Sequence, residues 1–329
     1  MRAFVVTAPH TAEVREVADP VPGPGEVVVD VERAGVCGTD LEFFSGRMAY
    51  LHTGEASYPM RLGHEWCGVV TAAGSADGEP WIGRRVTGDT MLGCGRCARC
   101  RAGRGHLCAD RFEIGIRRGR PGALAERLPV PVTALHELPG TIDAAAGAMV
   151  EPGANALRAA RAARGDRVLV LGPGTIGLLV ASFLDAAEVH LLGLDLGFAR
   201  SLGFTRAWTL DELPALPFDT VVECTTAASM PARAVDLVEP GGRVVFIGLA
   251  EEPSLIDTRR VALKDLTAVG VLSGSGALAE TIEAYAAGAV DPRPLVAATV
   301  GLDDAGTVLA GHRDPAWGAA PKIHIDPRR

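Results

Sequence analysis

Several large functional classes are excluded by what this sequence lacks. No apolar run approaches the ~18 residues that a membrane-crossing helix requires. No charged-then-apolar leader precedes the strand-like segment at residues 3–6, so a soluble, cytoplasmic protein with no membrane contact is expected. An excess of positive charge is also missing: 32 basic against 40 acidic side chains leave a net charge of −8. Nucleic-acid partners need clustered positive potential, and none is expected here. One arginine-rich stretch, Arg96, Arg99, Arg101, Arg104, Arg111, Arg117, Arg118 and Arg120, reads more simply as the solvated surface of a metal lobe. Internal repeats, low-complexity linkers and a Gly-x-y period are absent too. The 40 glycines and 22 prolines are therefore tight turns and special backbone positions.

What is present is globular composition, with 48% hydrophobic and 22% charged residues over 329 positions, a length that suits about two domains. Two regimes of pattern follow one another. Up to about residue 150, short β-type runs at 3–7, 26–34, 66–73, 84–87 and 123–129 are separated by Gly/Pro turns, which predicts an irregular β domain. From 154 to 273, strands at 167–171, 189–195, 220–224, 243–248 and 266–272 alternate with helices at 175–187, 198–202 and 230–238. That alternation predicts an α/β fold with a doubly wound parallel sheet, with a short run at 207–210 as its missing strand. A helix at 276–287 and a last strand at 322–325 read as a return to the first domain. The expected division is thus 1–153, 154–273 and 274–329.

Four of the seven cysteines, Cys94, Cys97, Cys100 and Cys108, have the spacing Cys-x2-Cys-x2-Cys-x7-Cys. Zinc takes four soft ligands in tetrahedral directions, and four thiolates leave no open position. A structural zinc in a lobe at about 93–110 is expected, ahead of an iron–sulfur centre or four free thiols. Cys67 and Cys224 lie in apolar strand contexts and read as packing.

A second constellation is scattered: Cys37-Gly38-Thr39-Asp40, then Gly63-His64-Glu65, then Glu151-Pro152. Cysteine, histidine and carboxylate are all good zinc ligands, and a catalytic zinc keeps a position open. Each group alone is weak; their order around the four-cysteine lobe is what draws attention. Residues 168–177 add a strand, a Gly172-x-Gly174-x-x-Gly177 turn carrying Thr175 and Ile176, and a helix start. This is a dinucleotide-binding signature, with the pyrophosphate set on the helix N-terminus. Asp195 follows 18 residues after Gly177, where an acid binds the ribose hydroxyls and repels a 2′-phosphate. NAD is therefore favoured over NADP, although the segment after Asp195 is short and Arg200 or Arg206 is available to a 2′-phosphate.

These motifs together closely resemble the zinc-containing medium-chain alcohol dehydrogenase family over essentially the whole chain. The resemblance implies a GroES-like catalytic domain, a Rossmann coenzyme domain, two zinc ions per chain and NAD. It implies that Cys37 and His64 ligate a catalytic zinc, with Glu65 exchanging with water and Glu151 as fourth ligand or just outside. Thr39 matches the hydroxyl that relays the substrate proton. Glu42 stands where many members have histidine, as it does in the family's glucose dehydrogenases. The Glu-Pro pair points to the polyol, sugar and threonine branch. The implied reaction is hydride transfer from a secondary alcohol on a small polar substrate, a polyol, sugar or cyclitol, with L-threonine or a specialised biosynthetic alcohol as alternatives. A homodimer or homotetramer is implied. The competing class is an inert scaffold that binds zinc or dinucleotide without chemistry. Tyr50, His52 and the loops at 43–59 and 249–260 are the candidates for shaping the substrate site.

Overall fold

Valines set the first sheet. In strand β3 (Glu26–Gly35), Val27, Val28, Val29 and Val31 are all buried, as expected of a central strand covered on both faces. Before it, β1 (Arg2–Ala8) and β2 (Thr11–Glu16) form an antiparallel hairpin. After it come helix α1 (Gly38–Ser45), the single turn α2 (Ala49–His52), β4 (Glu65–Ala73) and β5 (Arg85–Gly88). A small excursion, β6 (Met91–Leu92), α3 (Ala98–Arg101) and β7 (Phe112–Glu113), carries the cysteine lobe. Then β8 (Arg127–Pro131) pairs with β3, and β9 (Leu135–Glu137) pairs with β5. The core around Trp66, Phe43, Leu62, Ile114 and Leu128 lies under these strands.

Two short helices, α4 (Ala144–Ala148) and α5 (Val150–Ala162), lead into the second unit. There β10 (Arg167–Leu171), α6 (Thr175–Phe183), β11 (Glu188–Leu192), α7 (Gly197–Ser201) and β12 (Ala207–Trp208) are followed by β13 (Phe218–Glu223), α8 (Met230–Leu237), β14 (Val238–Phe246), α9 (Thr258–Leu263) and β15 (Thr267–Gly270). All six strands are parallel, in the order β12-β11-β10-β13-β14-β15. Val168, Leu169, Val170 and Leu171 of β10 are buried on both faces, the mark of a central parallel strand. Helix α10 (Leu278–Ala286), β16 (Val296–Gly301) and β17 (Lys322–Asp326) then return to the first sheet, where β17 lies between β16 and β3. This computed structural model describes residues 1–250 and 252–329. It divides into two units, Met1–Glu151 with Ser275–Arg329, and Pro152–Gly274. Position 251, within the 249–260 loop, lies outside the described residues. No helix among the described residues is long and apolar enough to cross a membrane.

Element ends depart from the sequence expectation where the chain changes partner. Residues 123–125 do not begin β8. They bond instead to β1, through Phe4 N–H to Leu124 O and an Ala3–Ala125 bridge. Helix α6 stops at Phe183 because Leu184 turns to extended backbone. Strand β11 ends at Leu192, three residues short of the expected end. Helix α5 runs through Glu151-Pro152-Gly153, where a proline in the first helical turn loses no hydrogen bond.

Strand β17 also carries His324, fully buried, with neither ring nitrogen bonded to another protein group. Burial, with Lys322 and Arg33 nearby, pushes its pKa down to about 3. The unfolded chain takes the proton first, near pH ~6.5. The stabilising contribution of neutral His324 is thus complete above that value and lost as pH falls toward about 3. Relative to a His324→Leu variant, the protein is expected to lose up to ~1.4 kcal/mol per pH unit in that window. Denaturant titrations at several pH values measure this, and parallel profiles for the two proteins would exclude it.

Candidate metal centres and coenzyme site

The end of β3, the start of α1 and the start of β4 bring three unlike donors together. Cys37 is the N-cap residue of α1, His64 immediately precedes β4, and Glu65 opens it. One ligand atom from each of Cys37, His64 and Glu65 lies within 4.8 Å of the others. The pivot is Asp40, fully buried on α1. Its carboxylate accepts from Cys37 N–H at 2.9 Å and from Gly63 N–H at 3.2 Å. It also lies 3.5 Å from His64 Nδ1. Asp40 therefore fixes both loops and turns Nδ1 toward itself, which leaves Nε2 as the nitrogen available to a metal. These interactions hold its own pKa below the ordinary carboxylate value despite the opposing burial, and they raise that of His64.

Glu65 is buried and both its oxygens accept from Lys322 Nζ, at 2.7 and 2.6 Å. Lys322, on β17, also donates to Val36 O at 3.0 Å. A Cβ on Gly35 would stand 2.1 Å from Glu65 Oε2, so only glycine lets the neighbouring strand pass this carboxylate. A thiol, an imidazole and a carboxylate at this separation suit zinc with a position left for water or substrate. Thr39 and Glu42 sit half-buried on α1, three residues apart and so on neighbouring turns. Glu151 is buried in the first turn of α5; the converging trio is Cys37, His64 and Glu65.

The second cluster is closed. Sγ atoms of Cys94, Cys97, Cys100 and Cys108 all lie within 4.8 Å of one another, at 4.0 Å for Cys94–Cys100, 3.5 Å for Cys97–Cys100 and 3.8 Å for Cys97–Cys108. Four sulfurs at ~2.3 Å from a tetrahedral zinc would be separated by ~3.8 Å, which matches. Backbone N–H groups of Arg96 and Cys97 lower the Cys94 thiol to about 6, favouring the thiolate that a metal needs. The four cysteines fit zinc.

In the second unit, β10, a tight turn and α6 follow in succession. Gly172 has φ +87°, and a Cβ on Gly177 would stand 2.0 Å from Gly172 O, so the helix can begin this close to the strand only with glycine there. A Cβ on Gly174 would meet nothing within 4 Å. The space beside the helix N-terminus, with Thr175 and Ile176 in its first turn, is open for a phosphate. Asp195 is exposed in the turn after β11, where Oδ1 accepts from Gly197 N–H at 3.0 Å.

Some roles were not legible in the sequence. Asp40 stood inside a quoted motif without a function, and Lys322 lies 257 residues from Glu65. The hydroxyl of Tyr50 accepts from Arg111 Nη2 at 3.1 Å, and Arg111 Nε donates to buried Glu113 at 2.7 Å. His52 Nε2 lies 3.1 Å from Gly46 O. Cys67 and Cys224 carry thiols whose pKa burial raises, consistent with packing roles.

Comparison with known proteins agrees with this geometry. Residues 23–140 match the alcohol dehydrogenase GroES-like domain, and residues 176–288 match the zinc-binding dehydrogenase model. An L-threonine 3-dehydrogenase of Deinococcus deserti is 33% identical over 307 residues, covering 87% of this chain and 88% of that protein. Another from Saccharopolyspora erythraea is 34% identical over 290 residues, covering 82% and 83%. A crystal structure of a zinc-binding dehydrogenase from Sinorhizobium meliloti, bound to NADP, superposes with a TM-score of 0.87 at 30% identity and 99% coverage of each chain. With paired domains, two donor clusters and relatives spanning nearly its whole length, this chain belongs to the zinc-containing medium-chain alcohol dehydrogenase family.

Proposed function

We propose that the chain oxidises a secondary hydroxyl on a polyol, sugar or cyclitol, using a catalytic and a structural zinc and NAD. The convergence of Cys37, His64 and Glu65 within 4.8 Å carries this reading, because an inert scaffold has no need of a donor set with an open position. When bound, zinc supplies Lewis acidity toward the substrate oxygen, and the nicotinamide supplies the hydride acceptor. Cys37 Sγ and His64 Nε2 would hold the metal, Asp40 keeps the imidazole oriented, and Glu65, paired with Lys322, would be the ligand that exchanges with water. Glu151 would be the fourth ligand or lie just outside. Thr39 Oγ1 receives the hydroxyl proton, and Glu42 accepts hydrogen bonds from neighbouring substrate hydroxyls or takes the proton onward. In this reading the first unit is catalytic, and the second holds NAD through Gly172, Gly174, Thr175, Ile176, Gly177 and Asp195.

Oxidation of L-threonine is the second reading, favoured by the relatives of that name at 33% and 34% identity. Reduced-coenzyme absorbance with polyols, aldoses, cyclitols, L-threonine and simple alcohols separates the two. Turnover of polyhydroxylated compounds supports the first, and turnover of threonine alone replaces it.

The free carboxylate oxygen of exposed Asp195 favours NAD by repelling a 2′-phosphate. Asp195→Ser is expected to raise the NADP-to-NAD ratio of kcat/KM about tenfold, a change of ~1.4 kcal/mol. An unchanged ratio would remove Asp195 from coenzyme selection. The chain further offers β15 as an unpaired sheet edge, with exposed Leu263 and Leu272 nearby. Pairing of that edge with a second copy would give the dimer, directly or within a tetramer.

A further inference from the structure

Within the first unit, a cavity of about 410 Å³ lies against the β1–β2 hairpin, and no residue of the two donor clusters lines it. Three arginines line it, Arg15, Arg61 and Arg120, together with Ser57 and an apolar floor that includes Met60 and Ile116. No Asp or Glu lines it. None of the residues placed above in zinc, coenzyme or proton handling contributes to the lining.

The arginines are not equivalent. Arg15 is exposed and paired with Glu13. Arg120 uses Nη2 on Glu26 at 2.6 Å and on Pro129 O at 3.2 Å. Its Nε is fully buried and has no acceptor. Arg61 is half-buried, and its guanidinium has no hydrogen-bond or ion-pair partner among the described residues. Burial alone acts on its pKa, and lowers it.

The buried Arg120 N–H without an acceptor is costly, and the half-buried Arg61 guanidinium beside it has no counter-charge of its own. A folded protein keeps such an arrangement at little cost only when something else supplies the acceptors. The guanidinium fork suits the oxygens of a carboxylate or phosphate. The volume, within the ordinary range for small-molecule pockets, and the apolar floor suit an anion attached to a compact organic body. We propose that this cavity is a binding site for a small oxyanion, a phosphate or carboxylate compound, held by Arg61 and Arg120 and separate from the dehydrogenase site.

Inorganic phosphate is the probe. Calorimetric titration of the full-length, zinc-loaded protein, with saturating NADH present to fill the glycine turn, is expected to show saturable binding. Arg61→Gln should weaken it about tenfold or more, the value of a charge-assisted pair. Arg120→Gln should weaken it as well, whereas Arg99→Gln, on the cysteine lobe, should leave it unchanged. Phosphate bound at the glycine turn would be indifferent to Arg61, so a failure of the coenzyme assignment would not imitate this result. Should Arg61→Gln not fold, Arg61→Lys keeps the charge but loses the fork, and a several-fold weaker Kd is expected. Absence of saturable binding in the unmodified protein, or an affinity unmoved by both Arg61 substitutions, overturns the proposal.

Discussion

Replacing Cys37 with serine is expected to lower kcat/KM by about a thousandfold or more and to lower bound zinc by one ion per chain. A hydroxyl is a poor substitute for the thiolate, and without it the converging trio keeps only His64 and Glu65, a weaker zinc site. Lewis-acid assistance is worth several kcal/mol, and each ~1.4 kcal/mol is tenfold in rate. The four-cysteine lobe is formed by other residues, so the variant should fold and keep the structural ion. Asp40→Asn is the graded companion. Its single amide oxygen can accept from only one of Cys37 N–H and Gly63 N–H, and the lost charge weakens the hold on His64. A loss of ~10–100-fold in metal affinity or rate is expected, as for other groups that orient metal-binding histidines. Metal analysis and kinetics on the same preparations check both. Activity of Cys37→Ser at the parent level would remove the trio from catalysis. Unmodified protein with one zinc and no turnover across the substrate panel would support the inert scaffold instead.

Lys322→Met is expected to destabilise the metal-free protein by about 3–5 kcal/mol. Glu65 is 1% exposed and Lys322 3% exposed, so removing the ammonium leaves a desolvated carboxylate whose two oxygens have both lost Lys322 Nζ at 2.6–2.7 Å. Breaking a buried pair from one side costs that much, because the remaining charge has no compensation. Glu65→Gln combined with Lys322→Met should recover a large part of the loss, and the double-mutant cycle isolates the coupling. Urea unfolding of all four proteins measures it. If the single Lys322→Met change costs under ~1 kcal/mol, the Glu65–Lys322 pair contributes little to the fold, and the buried contact is not what holds Glu65 in place. The chain has only two lysines, and the other, Lys264, donates to three backbone carbonyls, of Val235, Asp236 and Val238. Both are internal fasteners.

By itself the sequence determined everything that depends on near neighbours along the chain. Cys94, Cys97, Cys100 and Cys108 span fifteen positions, and so short a segment has few ways to fold other than with its sulfurs converging. The turn at Gly172, Gly174 and Gly177 was equally legible, because a strand, the turn and a helix start are all local events with their own residue preferences. The order of β and α segments likewise announced a parallel sheet.

What only the tertiary structure decided were pairings between distant segments and the points at which segments end. A strand ends where its hydrogen-bond partner ends, so β11 stops at Leu192, well before the apolar run does. Residues 123–125 are apolar and run straight into the β8 segment in sequence, but their bonds to strands go to β1. Lys322 meets Glu65 because β17 pairs with β3 and β3 pairs with β4. No spacing rule operates across 257 residues. Asp40 was visible as a residue, yet its buried position between Cys37 and Gly63 exists only once α1 packs beside the start of β4. The cavity of Arg15, Arg61 and Arg120 is of the same kind. Its walls come from three separate stretches of chain, and the unpaired state of Arg61 is a property of where its neighbours' carboxylates are not.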